Sequence, residues 1–159
     1  MVEDATIAAV VTLCVTASLP FYLRGAWIVI DADPVTWNVL IRHLRYVAVG
    51  LALTTVPMVG WMIPRLTLHL SGLTVLHAVF GIQAYALLAF ALTGIVRIFQ
   101  AKREADLYRD PDPDVDIGEL HERMDHWRMR LRIGVFGYLL FWIGAWILGT
   151  YRFLVFYVL

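Results

Sequence analysis

Residues 73–96 read LTVLHAVFGIQAYALLAFALTGIV, a run without a single Asp, Glu, Lys or Arg. A helix needs about 20 predominantly apolar residues to cross about 30 Å of hydrocarbon, so this run is long enough for one crossing. Three more segments of the same kind lie around it: residues 5–30, 34–63 and 117–156. The central run itself extends from 67 to 100 and continues as a solvated helix to 104. The expected fold is therefore all-α, an integral membrane four-helix bundle forming a single domain over residues 1–159. Several of these helices are longer than a bilayer requires.

Composition agrees with lipid as the solvent. The chain is 60% hydrophobic and 16% charged, with a mean hydropathy of +0.71, whereas soluble domains are about half apolar. Thirteen basic and thirteen acidic residues cancel, so no net field recruits nucleic acid or an acidic partner. Cys14 has no second thiol to pair with, which excludes an intrachain disulfide and any site built from several thiolates. The acidic start Met-Val-Glu-Asp is unlike the basic start of a signal peptide, so residues 5–22 are kept as part of the first span.

Breaks between the runs have local causes. In Asp31-Ala32-Asp33-Pro34, Asp33 can cap the second helix and Pro34 can occupy its first turn, where a missing N–H costs nothing. Ile63-Pro64-Arg65 breaks the chain again, and Thr67 or Ser71 can open the third helix. That connection is short, so helices two and three are expected to be antiparallel neighbours. The alternating Asp and Pro after Tyr108 favour an open loop. Asp116, with Glu119 three residues on, forms a candidate capping box for the last helix.

Of the thirteen Lys and Arg, only Arg65 and Arg152 fall outside the helix 1/2 hairpin and the helix 3/4 connection. By the positive-inside rule these two connections are cytoplasmic, placing both termini outside a multi-pass chain of the cell membrane. The surplus helix length then lies in the cytoplasm. The basic cluster from Arg123 to Arg132 also suits contact with anionic lipid.

No P-loop, Rossmann glycine pattern, His-Glu-x-x-His or nucleophile elbow is present, so catalytic residues are not assigned. No paired-thiol metal site is present either, and the sequence assigns no metal ligands. Histidines are the remaining candidates, because an ionisable group within a span is costly without a partner. Antiparallel topology places His43 and His126 at similar depths near the cytoplasmic boundary, and His77 toward the outer one. Haem b is the cofactor such residues could hold, between helices that supply axial imidazoles and small residues. His43 stacks at helical spacing over Val47, Gly50 and Thr54. His126, Arg130, Gly137 and Gly144 share a stripe, with Arg130 available for a propionate. His77 lies one turn from Gly81. Glycines at these spacings equally serve tight helix packing.

Leu76-His-Ala-Val-Phe-Gly-Ile-Gln and Asp125-His-Trp-Arg…Ile133-Gly134 resemble the His-plus-glycine helices of cytochrome b561-type proteins. That resemblance implies a b-type cytochrome with haem on His43 and His126. His77 lacks a partner histidine on helix one, so a single haem is implied. Over its whole length the chain resembles a family of small four-helix membrane proteins from halophilic archaea associated with cytochrome bc-type respiratory complexes. The stretches concerned are Thr16-Ala-Ser-Leu-Pro-Phe-Tyr, Asp33-Pro-Val-Thr-Trp-Asn-Val-Leu, Leu76-His-Ala-Val-Phe-Gly-Ile-Gln-Ala-Tyr and Arg132-Ile-Gly-Val-Phe-Gly-Tyr. This implies an accessory, non-enzymatic subunit packing against larger respiratory subunits, lipid and quinone. The His-Trp-Arg-x-Arg entry to the last helix is also similar to proteins that assist oxidase assembly.

Overall fold

The computed structural model describes residues 2–32, 35–66, 68, 70–110, 112 and 115–159. Four helices follow one another: α1 (Val2–Ile30), α2 (Trp37–Pro57), α3 (Gly72–Glu104) and α4 (Met124–Tyr157). No strand occurs among the described residues. All four are long and apolar enough to cross a membrane, and the chain is a multi-pass membrane protein. Asp33, Pro34 and Thr67, the expected starts of helices two and three, lie outside the described residues.

Helix ends follow local chemistry. Pro57 brings no N–H to the ladder, and α2 runs on from it as a π-helical turn, Met58–Met62, where the Ile63 N–H reaches the Met58 carbonyl at 2.9 Å. Ser71 caps α3, its hydroxyl accepting from the Thr74 N–H at 3.2 Å. At the other end of α3, Lys102 and Arg103 face the negative end of the helix dipole. Asp106 just beyond has a φ of 53°, a left-handed position that Asp tolerates better than most residues. The last helix starts at Met124 rather than at 117. Asp116 spends its carboxylate on a local turn, accepting from the Gly118 N–H at 2.7 Å, and this competes with helix initiation.

Packing divides the bundle into two hairpins, α1 with α2 and α3 with α4. Small residues explain the division. Along α3/α4, a β-carbon at Gly134 would stand 2.6 Å from the Ala91 β-carbon, and one at Gly94 would stand 2.5 Å from the Trp127 carbonyl. Further along, Leu87 fills the notch at Gly137, and Phe80 the one at Gly144. In a bilayer, association rests on such close van der Waals approach. In the first hairpin, Tyr46 and Val47 close on Gly25, and the Tyr22 ring lies over Gly50.

The hairpins are joined by α1 against α4. Tyr22 meets Tyr138 and Trp142 edge-on, with ring centroids 6.1 and 6.0 Å apart, and the Trp146 indole N–H donates to Thr16. Contrary to expectation, α2 and α3 do not share a continuous seam. They meet through a 2.7 Å hydrogen bond between Thr55 and Tyr85 and at one end through Trp37, whose ring packs on Phe99 and Tyr108. A short connection brings helix ends together, but only small residues let their lengths close up. The Trp37 N–H also donates to the Tyr108 carbonyl at 3.1 Å, tying the α3/α4 connection to the start of α2. Burial there pushes the Tyr108 phenol above its ordinary pKa.

Candidate functional site

The histidines are distributed over the bundle and do not converge. His43, half-buried on α2, faces α1, with its Nδ1 2.8 Å from the Gly25 carbonyl. Because a carbonyl only accepts, the His43 ring donates through Nδ1. His126 and Arg130 are exposed on the first turns of α4. His121 packs on Trp127 with ring centroids 4.4 Å apart, and its Nδ1 accepts from the Arg123 N–H. His69 lies outside the described residues.

The faces expected to frame a haem are filled by protein. On α2, a β-carbon at Gly50 would stand 2.8 Å from the Tyr22 ring. On α4, Gly137 lies against Leu87 and Gly144 against Phe80. Thus the His43 stripe is turned onto α1 and the glycine stripe of α4 onto α3, so the two stripes do not face one another across α2 and α4. These residues, as arranged, do not fit a haem bridging His43 and His126. Among the described residues, no three His, Cys, Asp or Glu side chains gather in a metal-binding group.

Among the described histidines, His77 is the one that the fold buries, at 9% exposure. Its ring lies over Gly149, where a β-carbon would be 3.0 Å from Cε1. Its Nδ1 is 3.1 Å from Nη1 of Arg152. A guanidinium can only donate, so Nδ1 accepts and the neutral ring carries its proton on Nε2. The Nε of Arg152 and the hydroxyl of Thr150 are buried without a hydrogen bond. This pair locks α3 to α4 near the chain termini, where Arg65 similarly reaches Asp4 at 3.4 Å and stacks on Trp61.

Replacing His77 with leucine would take from that guanidinium the acceptor of its Nη1. The expected loss is about 1–3 kcal/mol, the cost of an unsatisfied buried donor, seen as a lower unfolding midpoint in detergent. His77→Gln, which restores an acceptor, should recover much of it. Equal midpoints for wild type and His77→Leu would show that the pair carries no stability.

A second polar group escaped the sequence reading. The Tyr138 hydroxyl donates to that of Tyr22 at 3.1 Å, Tyr22 meets the Thr54 hydroxyl at 3.2 Å, and Thr54 returns to the Gly50 and Leu51 carbonyls. This chain of hydroxyls crosses α4, α1 and α2 inside the bundle. Its signal in the sequence was tyrosine and threonine within apolar runs, which costs free energy unless the hydroxyls are paired. Every hydroxyl in it has a protein partner, so the group fastens α4, α1 and α2 to one another.

A family model described as "Domain of unknown function (DUF7321)" matches residues 4–158. No curated protein and no solved structure matches the chain.

Proposed function

Since the chain belongs to the DUF7321 family, which prescribes no chemistry, we propose from its own residues that it is an accessory membrane subunit of a respiratory electron-transfer complex. It sits in the cell membrane with both termini outside and the arginine-rich end in the cytoplasm. The observation that carries this reading is how little each helix buries. Within the most apolar stretch of each helix, 11% is buried in α1 and α2 and 17% in α3 and α4. Most helix surface is therefore available to lipid and to neighbouring helices. Polar groups that could do chemistry in the spans, His43, His77, Tyr22 and Tyr138, are engaged in holding helices together. The respiratory assignment itself is supported by the resemblance to bc-associated haloarchaeal proteins.

The test is affinity purification of the tagged full-length chain from native membranes in mild detergent. Haem-containing respiratory subunits should co-elute in fixed proportion, while the chain expressed alone should show no Soret band. Elution without respiratory partners would overturn the proposal. Co-elution with assembly intermediates but not with the finished complex would replace it by a role in assembly.

A further inference from the structure

Gln83 is the residue that the fold leaves unexplained. It lies about 16 Å along α3 from Gly72 and about 21 Å from Arg97 at 1.5 Å per residue, well inside the apolar run. Its neighbours Ala84 and Tyr85 turn inward, Ala84 into the core and Tyr85 to Thr55. Gln83 itself is exposed and hydrogen-bonds to no other described residue. Among the described residues it is the one amide or charged side chain exposed at this depth. An amide facing hydrocarbon without a partner costs several kcal/mol in apolar transfer, so lipid is a poor neighbour for it.

We propose that this face of α3 is where a second copy of the chain docks, the two Gln83 side chains hydrogen-bonding to each other across a two-fold axis along the membrane normal. Three features select a second copy as the occupant. A primary amide is both donor and acceptor, so two of them satisfy one another reciprocally. Copies inserted in the same sense and related by such an axis present Gln83 at identical depth, whereas any other partner would need a matching polar group at that level. The interface is isologous, so one stripe complements itself. That stripe, Val79, Gln83, Ala86 and Phe90, is exposed throughout, and Ala86 beside Gln83 permits close backbone approach. The inference does not rest on the accessory-subunit reading, because the dimer forms from this chain alone.

Single cysteines placed on the full chain in membranes test it, with Cys14→Ala removing the native thiol and Gln83 retained. Oxidation should give a disulfide-linked dimer from Val79→Cys and Ala86→Cys, and none from Ile143→Cys, which is exposed on α4. Adding Gln83→Leu, which suits lipid and leaves the bundle interior untouched, should weaken the dimer by roughly three- to thirtyfold in dissociation constant. The proposal is overturned if Val79 and Ala86 yield no dimer, if they cross-link only to a protein of another size, or if Gln83→Leu leaves the yield unchanged.

Discussion

A Gly134→Leu protein is expected to have its α3/α4 seam forced apart and to lose about 3 kcal/mol of stability or more. At this position the chain has no room for even one carbon: a β-carbon would stand 2.6 Å from the Ala91 β-carbon and 2.7 Å from the Ala91 Cα and N. The obstacle is backbone, which cannot rotate aside as a side chain can, so the helices themselves must separate. Separation also lifts Leu87 off Gly137, Phe80 off Gly144 and His77 off Gly149, because these contacts lie along one seam. Overpacking a well-filled interior costs about 1–3 kcal/mol and occasionally more. A clash with backbone repeated down a seam belongs at the upper end. Gly81 supplies the control, since a β-carbon there meets nothing within 4 Å. Gly81→Ala should be neutral or gain about 0.5–1 kcal/mol from helix propensity. Thermal unfolding in detergent, followed by circular dichroism, reads both variants. If Gly134→Leu melts with Gly81→Ala, the close approach of α3 to α4 is wrong.

That contrast shows which parts of the fold were legible in the sequence. Four long apolar runs are a one-dimensional signal, and α1 follows it closely, whereas α3 and α4 match it at their ends but start later, at Gly72 and Met124. Helix pairing is not one-dimensional. The glycines of α4 could be read either as room for a cofactor or as room for another helix, since both need a missing side chain. Only the placement of Leu87 and Phe80 in those notches decides between them. Gly81 and Gly134 look alike in the sequence, yet one faces open space and the other a backbone. Chain connectivity misled in the same way, because the short α2/α3 connection suggested a packed pair, whereas α3 closes on α4 and α2 on α1.

Histidines were legible as costly residues but not as partners. His43 found a backbone carbonyl on α1, an acceptor that every residue carries and that no motif can announce. His77 found Arg152 across the hairpin, 75 residues away in the chain, and in the sequence Arg152 is simply one of two charges on the outer side. The tyrosines were overlooked because a phenol counts as apolar in composition while its hydroxyl obeys the rules of buried polar groups.

Tyr22 carries the most consequence among them, and its replacement by alanine should separate the two hairpins. Its ring lies over Gly50 of α2, where a β-carbon would be only 2.8 Å away, and packs edge-on to Tyr138 and Trp142 of α4. Its hydroxyl stands between those of Tyr138 and Thr54. No other described side chain joins α1, α2 and α4 in this way. Truncation leaves a cavity at the junction and strands two buried hydroxyls, of which Thr54 keeps backbone acceptors and Tyr138 does not. Removing a large aromatic from a core costs on the order of 3–5 kcal/mol. Tyr22→Phe separates packing from hydrogen bonding, because it retains the ring and should lose only about 1 kcal/mol. Unfolding midpoints in detergent should therefore fall in the order wild type, Tyr22→Phe, Tyr22→Ala, with the larger step at the second substitution. Were the two variants equally destabilised, the hydroxyl chain rather than the ring would be what holds α1 to α4. Protease access to the α1/α4 seam in Tyr22→Ala, with the α3/α4 hairpin still protected, would locate the break between the hairpins rather than within them.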